Sequence, residues 1–198
     1  SERFQTSLRS EIYVDKSMMI ELTNSVLRTD ERHICISRPR RFGKSMAANM
    51  LTAYYSRGCD STDLFKNLAI SKTEDFEKHL NKYNVVKFDV RDFTENASGG
   101  KEMTQKLIKS LKRDLLKEYG NMDFPEDFTI QEMLKEIYAE NRVPFVFIID
   151  EWDCVFRVFK NDTEGQRYYL DFLRNFLKEK EYDALQKEKL RMEQMKQY

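Results

Sequence analysis

Two short clusters in this sequence carry residue types suited to handling a phosphate and a metal. The first is Gly43-Lys44-Ser45, preceded by Arg38-Pro39-Arg40-Arg41-Phe42. Glycine lets backbone N–H groups close around an anion with no Cβ in the way. A helix starting there adds unpaired donors and the positive end of its dipole. The Lys44 ammonium then reaches the β- and γ-phosphates of a nucleotide, and the Ser45 hydroxyl is a ligand for Mg²⁺. Arg40 and Arg41 add positive charge. The full phosphate-loop pattern is G-x-x-x-x-G-K-[ST], and here Arg38 stands at its first glycine. The bland alternative is a helix that begins at glycine and carries a solvated basic cluster.

The second cluster is Asp150-Glu151, at the end of the apolar run Phe145-Val146-Phe147-Ile148-Ile149. In P-loop ATPases this position holds the Mg²⁺-side aspartate, followed in one branch by a glutamate that orients the attacking water. Asp150 takes the first role, directly or through a water, and Glu151 is the general base. Asp153 is a third carboxylate, a candidate to position an Arg or Lys side chain. The competing reading is a strand end whose acids cap the next helix. The candidate cofactor set is therefore Arg40, Arg41, Phe42, Gly43, Lys44, Ser45 and Met46, the metal set Ser45 and Asp150, and the catalytic set Glu151 and Lys44. The expected cofactors are ATP and Mg²⁺.

The flanking sequence supplies elements that bring these clusters together. His33-Ile34-Cys35-Ile36-Ser37 reads as a buried strand that stops at Arg38-Pro39. After Gly43 the stripe Ala47, Met50, Leu51, Tyr54 predicts a helix, with Gly58 past its end. Asn84 to Val90 and Phe145 to Ile149 are further strands, and the unbroken apolar run of the latter suits a strand covered on both faces. Helices are expected from the segment Tyr13-Val14-Asp15-Lys16-Ser17 to Leu27 (stripe Met18, Leu22, Val26; Asp15 or Ser17 as N-cap), near Thr73 to Leu80, from Lys101 to Tyr119, around Ile130 to Tyr138, and around Tyr169 to Leu177. Alternating strands and helices indicate an α/β fold, a three-layer P-loop sandwich around a mainly parallel sheet, whose ligands bind at the carboxyl ends of the strands. Ser37 and Asp150 fall at two such ends, about a hundred residues apart.

The chain resembles a family of bacterial and archaeal AAA-ATPase-like proteins whose longer members carry a restriction-endonuclease-like nuclease domain. The resemblance spans about residues 3 to 180. It rests on Tyr13-Val14-Asp15-Lys16-Ser17, Ser37-Arg38-Pro39-Arg40-Arg41-Phe42-Gly43-Lys44-Ser45, Leu64-Phe65-Lys66-Asn67-Leu68 and Ile149-Asp150-Glu151-Trp152-Asp153. It implies an ATP-binding fold and ATPase activity, phosphate roles for Gly43, Lys44 and Ser45, and a magnesium or water role for Asp150 and Glu151. The Arg-Pro-Arg-Arg-Phe-Gly-Lys string is the family's normal form, and Asp15 and Lys16 belong to a string its members share, which makes them candidates to serve the site with no chemistry assigned. The family continues after the equivalent of Leu177 with an apolar sensor strand. Here Gln186-Lys187-Glu188-Lys189-Leu190-Arg191-Met192 cannot be such a strand, so the sheet is read as truncated before it. The expected organisation is an ATPase core at 1–180 and a charged helical tail at 181–198.

Composition narrows the alternatives. The 198 residues hold 34 basic and 34 acidic side chains, a zero net charge that creates no global field to attract nucleic acid or an anionic membrane. No apolar run reaches the ~18 to 20 residues of a membrane span. Three cysteines with no C-x-x-C pair suggest free, mostly buried thiols in a cytoplasmic protein. His33 and His79 lack neighbours at metal-ligand spacing. Tyr168, Tyr169, Phe172 and Phe176 read as a core-facing helix side rather than a base-stacking platform. No arginine finger stands out in cis (Arg57 and Arg157 are guesses), so a protein partner or a second copy is a candidate arginine donor. The second hypothesis is a non-hydrolysing nucleotide-binding or protein-interaction module. Nucleic-acid processing has no nuclease centre in these residues to support it.

Overall fold

The computed structural model describes residues 2–27, 29–36 and 43–177. They form a mixed helix and strand structure divided into two compact units, Ser1–Asp89 with Val143–Glu151, and Val90–Arg142 with Trp152–Tyr198. The tail at 181–198 lies outside the described residues. Among those residues no helix is long and apolar enough to cross a membrane.

The first unit contains α1 (Glu2–Leu8), α2 (Met18–Val26), α3 (Lys44–Tyr55), α4 (Thr62–Phe65), α5 (Phe76–His79), β1 (Asn84–Asp89) and β2 (Phe145–Asp150). The two strands are parallel, in a register that sets Asn84 opposite Phe145 and Asp89 opposite Asp150. Side chains alternate across a strand. Val85, Lys87 and Asp89 therefore share one face with Val146, Ile148 and Asp150. Val85, Val146 and Ile148 pack against the unit's core, and α3 lies against both strands.

That core is aromatic. Phe4 stacks on Phe65 with centroids 5.2 Å apart, and Tyr54 meets Phe65 edge-on at 5.5 Å. Burying each such ring contributes about 1.5–3 kcal/mol, provided that every phenol finds a partner. Tyr54 Oη donates to the Phe76 carbonyl at 2.7 Å, and Tyr55 Oη donates to Asn24 Oδ1 at 2.7 Å. Burial pushes the Tyr54 phenol up to about 12.

These phenols explain one correction. The stripe Met18, Leu22, Val26 is not the buried face of α2: Met18 and Leu22 are 43% and 61% exposed. Ile20, Thr23 and Asn24 turn inward instead. Thr23 Oγ1 lies 2.6 Å from Tyr55 Oη, and Asn24 Nδ2 donates to Tyr54 Oη at 3.2 Å. Satisfying two buried hydroxyls outweighs the apolar periodicity.

The strand expected at His33 to Ser37 is also corrected. Residues 33–36 are not in a strand, and Ser37 lies outside the described residues. Among the described residues this run pairs with neither β1 nor β2. Without a ladder its side chains have no sheet face to cover them, and Ile34 and Ile36 are exposed. β2 is half-buried along its length rather than fully covered. The cysteines are free, but only Cys154 is buried; Cys59 is half-buried and Cys35 exposed.

The second unit contains α6 (Gly100–Glu118), α7 (Ile130–Asn141), α8 (Cys154–Val158) and α9 (Thr163–Phe176). Apolar stripes are buried here: Met103, Leu107, Leu111 and Leu115 on α6; Ile130, Met133, Leu134 and Ile137 on α7; Tyr169, Phe172, Leu173 and Phe176 on α9, whereas Tyr168, expected on that core-facing side, is exposed. Thr129 caps α7 in a capping box with Glu132, each side chain taking the other's backbone N–H. The starts of α6 and α9 meet at two glycines. A Cβ on Gly100 would lie 2.7 Å from the Gly165 carbonyl carbon. One carboxylate serves both helix ends: Asp162 accepts the Gly100 N–H at 2.7 Å and the Gly165 N–H at 2.9 Å.

Candidate functional site

Gly43 is the N-cap of α3, with φ 77° and ψ 25°, a left-handed conformation that glycine adopts without steric cost. The first N–H groups of a helix have no intrahelical acceptor. Lys44, Ser45 and Met46 make up this first turn. Ser45 Oγ donates to Asp150 Oδ2 at 2.8 Å, joining the start of α3 to the carboxyl end of β2. The Glu151 N–H donates to Asp150 Oδ1 at 3.0 Å. With both oxygens engaged, the Asp150 carboxylate has a fixed plane.

Glu151 follows at φ 50°, in the left-handed region. For a non-glycine residue this conformation costs on the order of 1–3 kcal/mol. β2 ends at Asp150, and Glu151 is half-buried in the bend that follows.

The Ser45–Asp150 pair fits a hard cation. Mg²⁺ binds oxygens at about 2.0–2.1 Å in an octahedron, so adjacent ligands lie roughly 2.9 Å apart. The 2.8 Å between the two side-chain oxygens matches that edge. Among the described residues no group of three His, Cys, Asp or Glu could enclose a metal. An ion held here would take its remaining ligands from water and phosphate, which is how Mg²⁺ is held in phosphoryl-transfer sites.

Two further lysines lie near these residues, Lys87 and Lys16, the latter within the Tyr13-Val14-Asp15-Lys16-Ser17 string. Lys87, on the α3-facing side of β1, donates to Asn49 Oδ1, one turn beyond Ser45. Burial and the charge of Arg3 pull its pKa down, opposed by Asp150 and Asp89. A lysine at an inward position between Val85 and Asp89 was the available sequence signal, and reading the strand only for its apolar residues misses it. Lys16 is the second. A Cβ on Gly43 would sit 3.4 Å from Lys16 Nζ, and equally 3.4 Å from Met46 Cε.

Of the candidate residues, Gly43, Lys44, Ser45 and Met46 lie at the start of α3, while Asp150 and Glu151 lie at the end of β2, where Asp150 meets Ser45. Arg40, Arg41 and Phe42 lie outside the described residues. Asp153 and Arg157, in the second unit, pair at 3.4 Å. His79 Nδ1 lies 2.6 Å from Tyr83 Oη.

A helix opening on a left-handed glycine, followed by a lysine and a serine bonded to a strand-end aspartate, brings the two sequence clusters together. Residues 3–192 match the family described as a predicted AAA-ATPase, and the chain belongs to this AAA-ATPase-like family. No curated protein and no solved structure matches the chain. Family membership supports a nucleotide-binding, ATPase-like role.

Proposed function

We propose that the chain binds ATP with Mg²⁺ at the start of α3 and hydrolyses its β–γ bond. The fold we infer is a P-loop sandwich, of which α3, β1 and β2 are the central parts. The observation that carries the reading is the Ser45–Asp150 hydrogen bond, which joins the two expected motifs across 105 positions of sequence.

The chain's own groups divide the work. The open N–H groups of the first turn and the Lys44 ammonium bind phosphate oxygens. Ser45 and Asp150 hold the metal, and Met46 covers the glycine turn. Mg²⁺, when bound, offsets charge that develops on the phosphate oxygens during transfer. Glu151 orients a water and accepts its proton. Arg40 and Arg41 add positive charge from the segment before Gly43. A neighbouring copy or protein partner supplies the arginine that completes turnover, and the chain works in the cytoplasm.

Calorimetric titration with ATP, with and without Mg²⁺, tests the binding site. Lys44→Ala is expected to abolish binding. If Lys44→Ala binds ATP as tightly as the unaltered chain, the phosphate-site assignment is wrong. A phosphate-release assay then tests hydrolysis, and tight binding without release favours a non-hydrolysing module.

A further inference from the structure

We propose that Lys16 is a second phosphate-binding lysine of this site, reaching the same anion as Lys44; the inference rests on the nucleotide reading above. Lys16 lies 27 positions before Gly43 in the sequence, on the loop that precedes α2. Its ammonium nevertheless comes within 3.4 Å of where a Gly43 side chain would begin. A Cβ at residue 43 would only touch that ammonium at ordinary contact distance, so glycine serves here for its backbone conformation, and the ammonium lies beside the turn.

The segment carrying Lys16 is held by its two neighbours. Asp15 Oδ1 accepts the Ser17 N–H and Asp15 Oδ2 accepts the Ala69 N–H, each at 2.8 Å. The fully buried Ser17 hydroxyl accepts the Ile70 N–H at 3.1 Å. Asp15 and Ser17 thus fasten the loop to residues 69 and 70, and the residue between them is left facing the α3 terminus. This gives the pair Asp15 and Ser17 an anchoring role and Lys16 a ligand-facing one.

The electrostatics point the same way. A cation beside a helix N-terminus opposes the helix dipole, at a cost of about 0.3–1 kcal/mol for an exposed group. Lys44 is itself the first residue of α3, so two lysines belong to or lie near its positive end. A polyphosphate reverses the sign of this arrangement, because each lysine then forms a charge-assisted hydrogen bond with an anionic oxygen. Two lysines near one glycine turn also suit a chain of linked phosphates better than a single carboxylate.

The test is calorimetry on the full chain with Mg²⁺-ATP and with tripolyphosphate, comparing the unaltered protein, Lys44→Ala, Lys16→Ala and Lys16→Arg. Lys16→Ala is expected to weaken both ligands by about tenfold, the worth of one charge-assisted contact, and Lys16→Arg to recover most of the loss. Circular dichroism melts accompany each variant, and Lys16→Gln, which keeps most of the aliphatic stem, replaces Lys16→Ala if the latter fails to fold. Unchanged affinity in a folded Lys16 variant, while Lys44→Ala loses binding, overturns the role of Lys16 and leaves the nucleotide reading standing. A loss that Lys16→Arg does not recover also overturns it, since charge is then not what matters. If the unaltered chain binds neither ligand, the nucleotide reading fails and this inference with it.

Discussion

Ser45 Oγ donates a hydrogen bond of 2.8 Å to Asp150 Oδ2, so the first turn of α3 is tied to the last residue of β2. Neither side chain needs this partner for its local structure. Ser45 is in the helix, and Asp150 already accepts the Glu151 N–H. The bond therefore reports on the relative placement of two elements, and its length equals the edge that a small divalent cation requires of two ligands.

Removing either oxygen should uncouple nucleotide affinity from the metal. Ser45→Ala and Asp150→Asn are each expected to abolish most of the gain in ATP affinity that Mg²⁺ gives, a loss of roughly 10–100-fold for one metal-site partner. Titrations with Mg²⁺ and with EDTA measure this directly. If Mg²⁺ strengthens ATP binding to Ser45→Ala as much as to the unaltered chain, Ser45 is not a metal ligand.

Glu151 makes a second, opposed pair of outcomes. Its φ of 50° is strained for a residue with a side chain. Glu151→Gly should relieve that strain and raise the denaturation free energy of the first unit by about 1 kcal/mol, while eliminating turnover. Glu151→Gln keeps the strain and the shape; it should bind ATP normally and lose roughly 10²-fold or more in phosphate release. Urea titrations and a phosphate-release assay separate the two effects. Full turnover in Glu151→Gln rules out the general-base role.

The part of the site legible in the sequence was the part built from local chemistry. A glycine before Lys44-Ser45, and acids directly after an apolar run, follow from spacing alone, and the structure joins them through Ser45 and Asp150. The helix stripes of α6, α7 and α9 were equally readable, because their apolar residues serve no competing demand. Legibility failed where a distant partner decides the outcome. Thr23 and Asn24 face inward because two phenols on α3 require acceptors and donors, which no window around α2 contains. The run at 33–36 has strand composition, yet composition does not supply a neighbouring ladder. Lys87 escaped for the same reason, and Lys16 was legible only as part of a string the family shares, with no chemistry: each acquires meaning from what α3 brings beside it.

The glycine contact between α6 and α9 leaves no space for a methyl group. A Cβ on Gly165 would lie 2.8 Å from the Gly100 N and 2.1 Å from Asp162 Oδ2. Gly165→Ala must therefore displace both the neighbouring backbone and the carboxylate that holds the two helix ends. The expected destabilisation of the second unit is about 1–3 kcal/mol, the usual range for overpacking, read as a lower urea midpoint. A midpoint equal to that of the unaltered chain contradicts this close approach.

The same helix ends make the second unit sensitive to acid. Three bonds hold Glu102 well below its ordinary 4.5, at about 2: first the bond from Lys106, then the bonds from the Ser98 hydroxyl and the Ser98 N–H. The N–H groups of Gly165 and Gly100 likewise hold Asp162 below its ordinary 3.8. Both carboxylates are harder to protonate in the folded chain than in the unfolded one, so both favour folding whenever they are ionised. Their contribution is complete above about pH 4.5. It declines as pH falls below that value, and for Glu102 it is gone once pH passes about 2. Melting temperature should therefore respond little to these two groups between pH 7 and 5 and fall progressively below pH 4.5. Glu102→Gln and Asp162→Asn should each flatten the acid limb of that curve while lowering the plateau. A Glu102→Gln curve that keeps the full slope between pH 4.5 and 2 contradicts the assigned linkage.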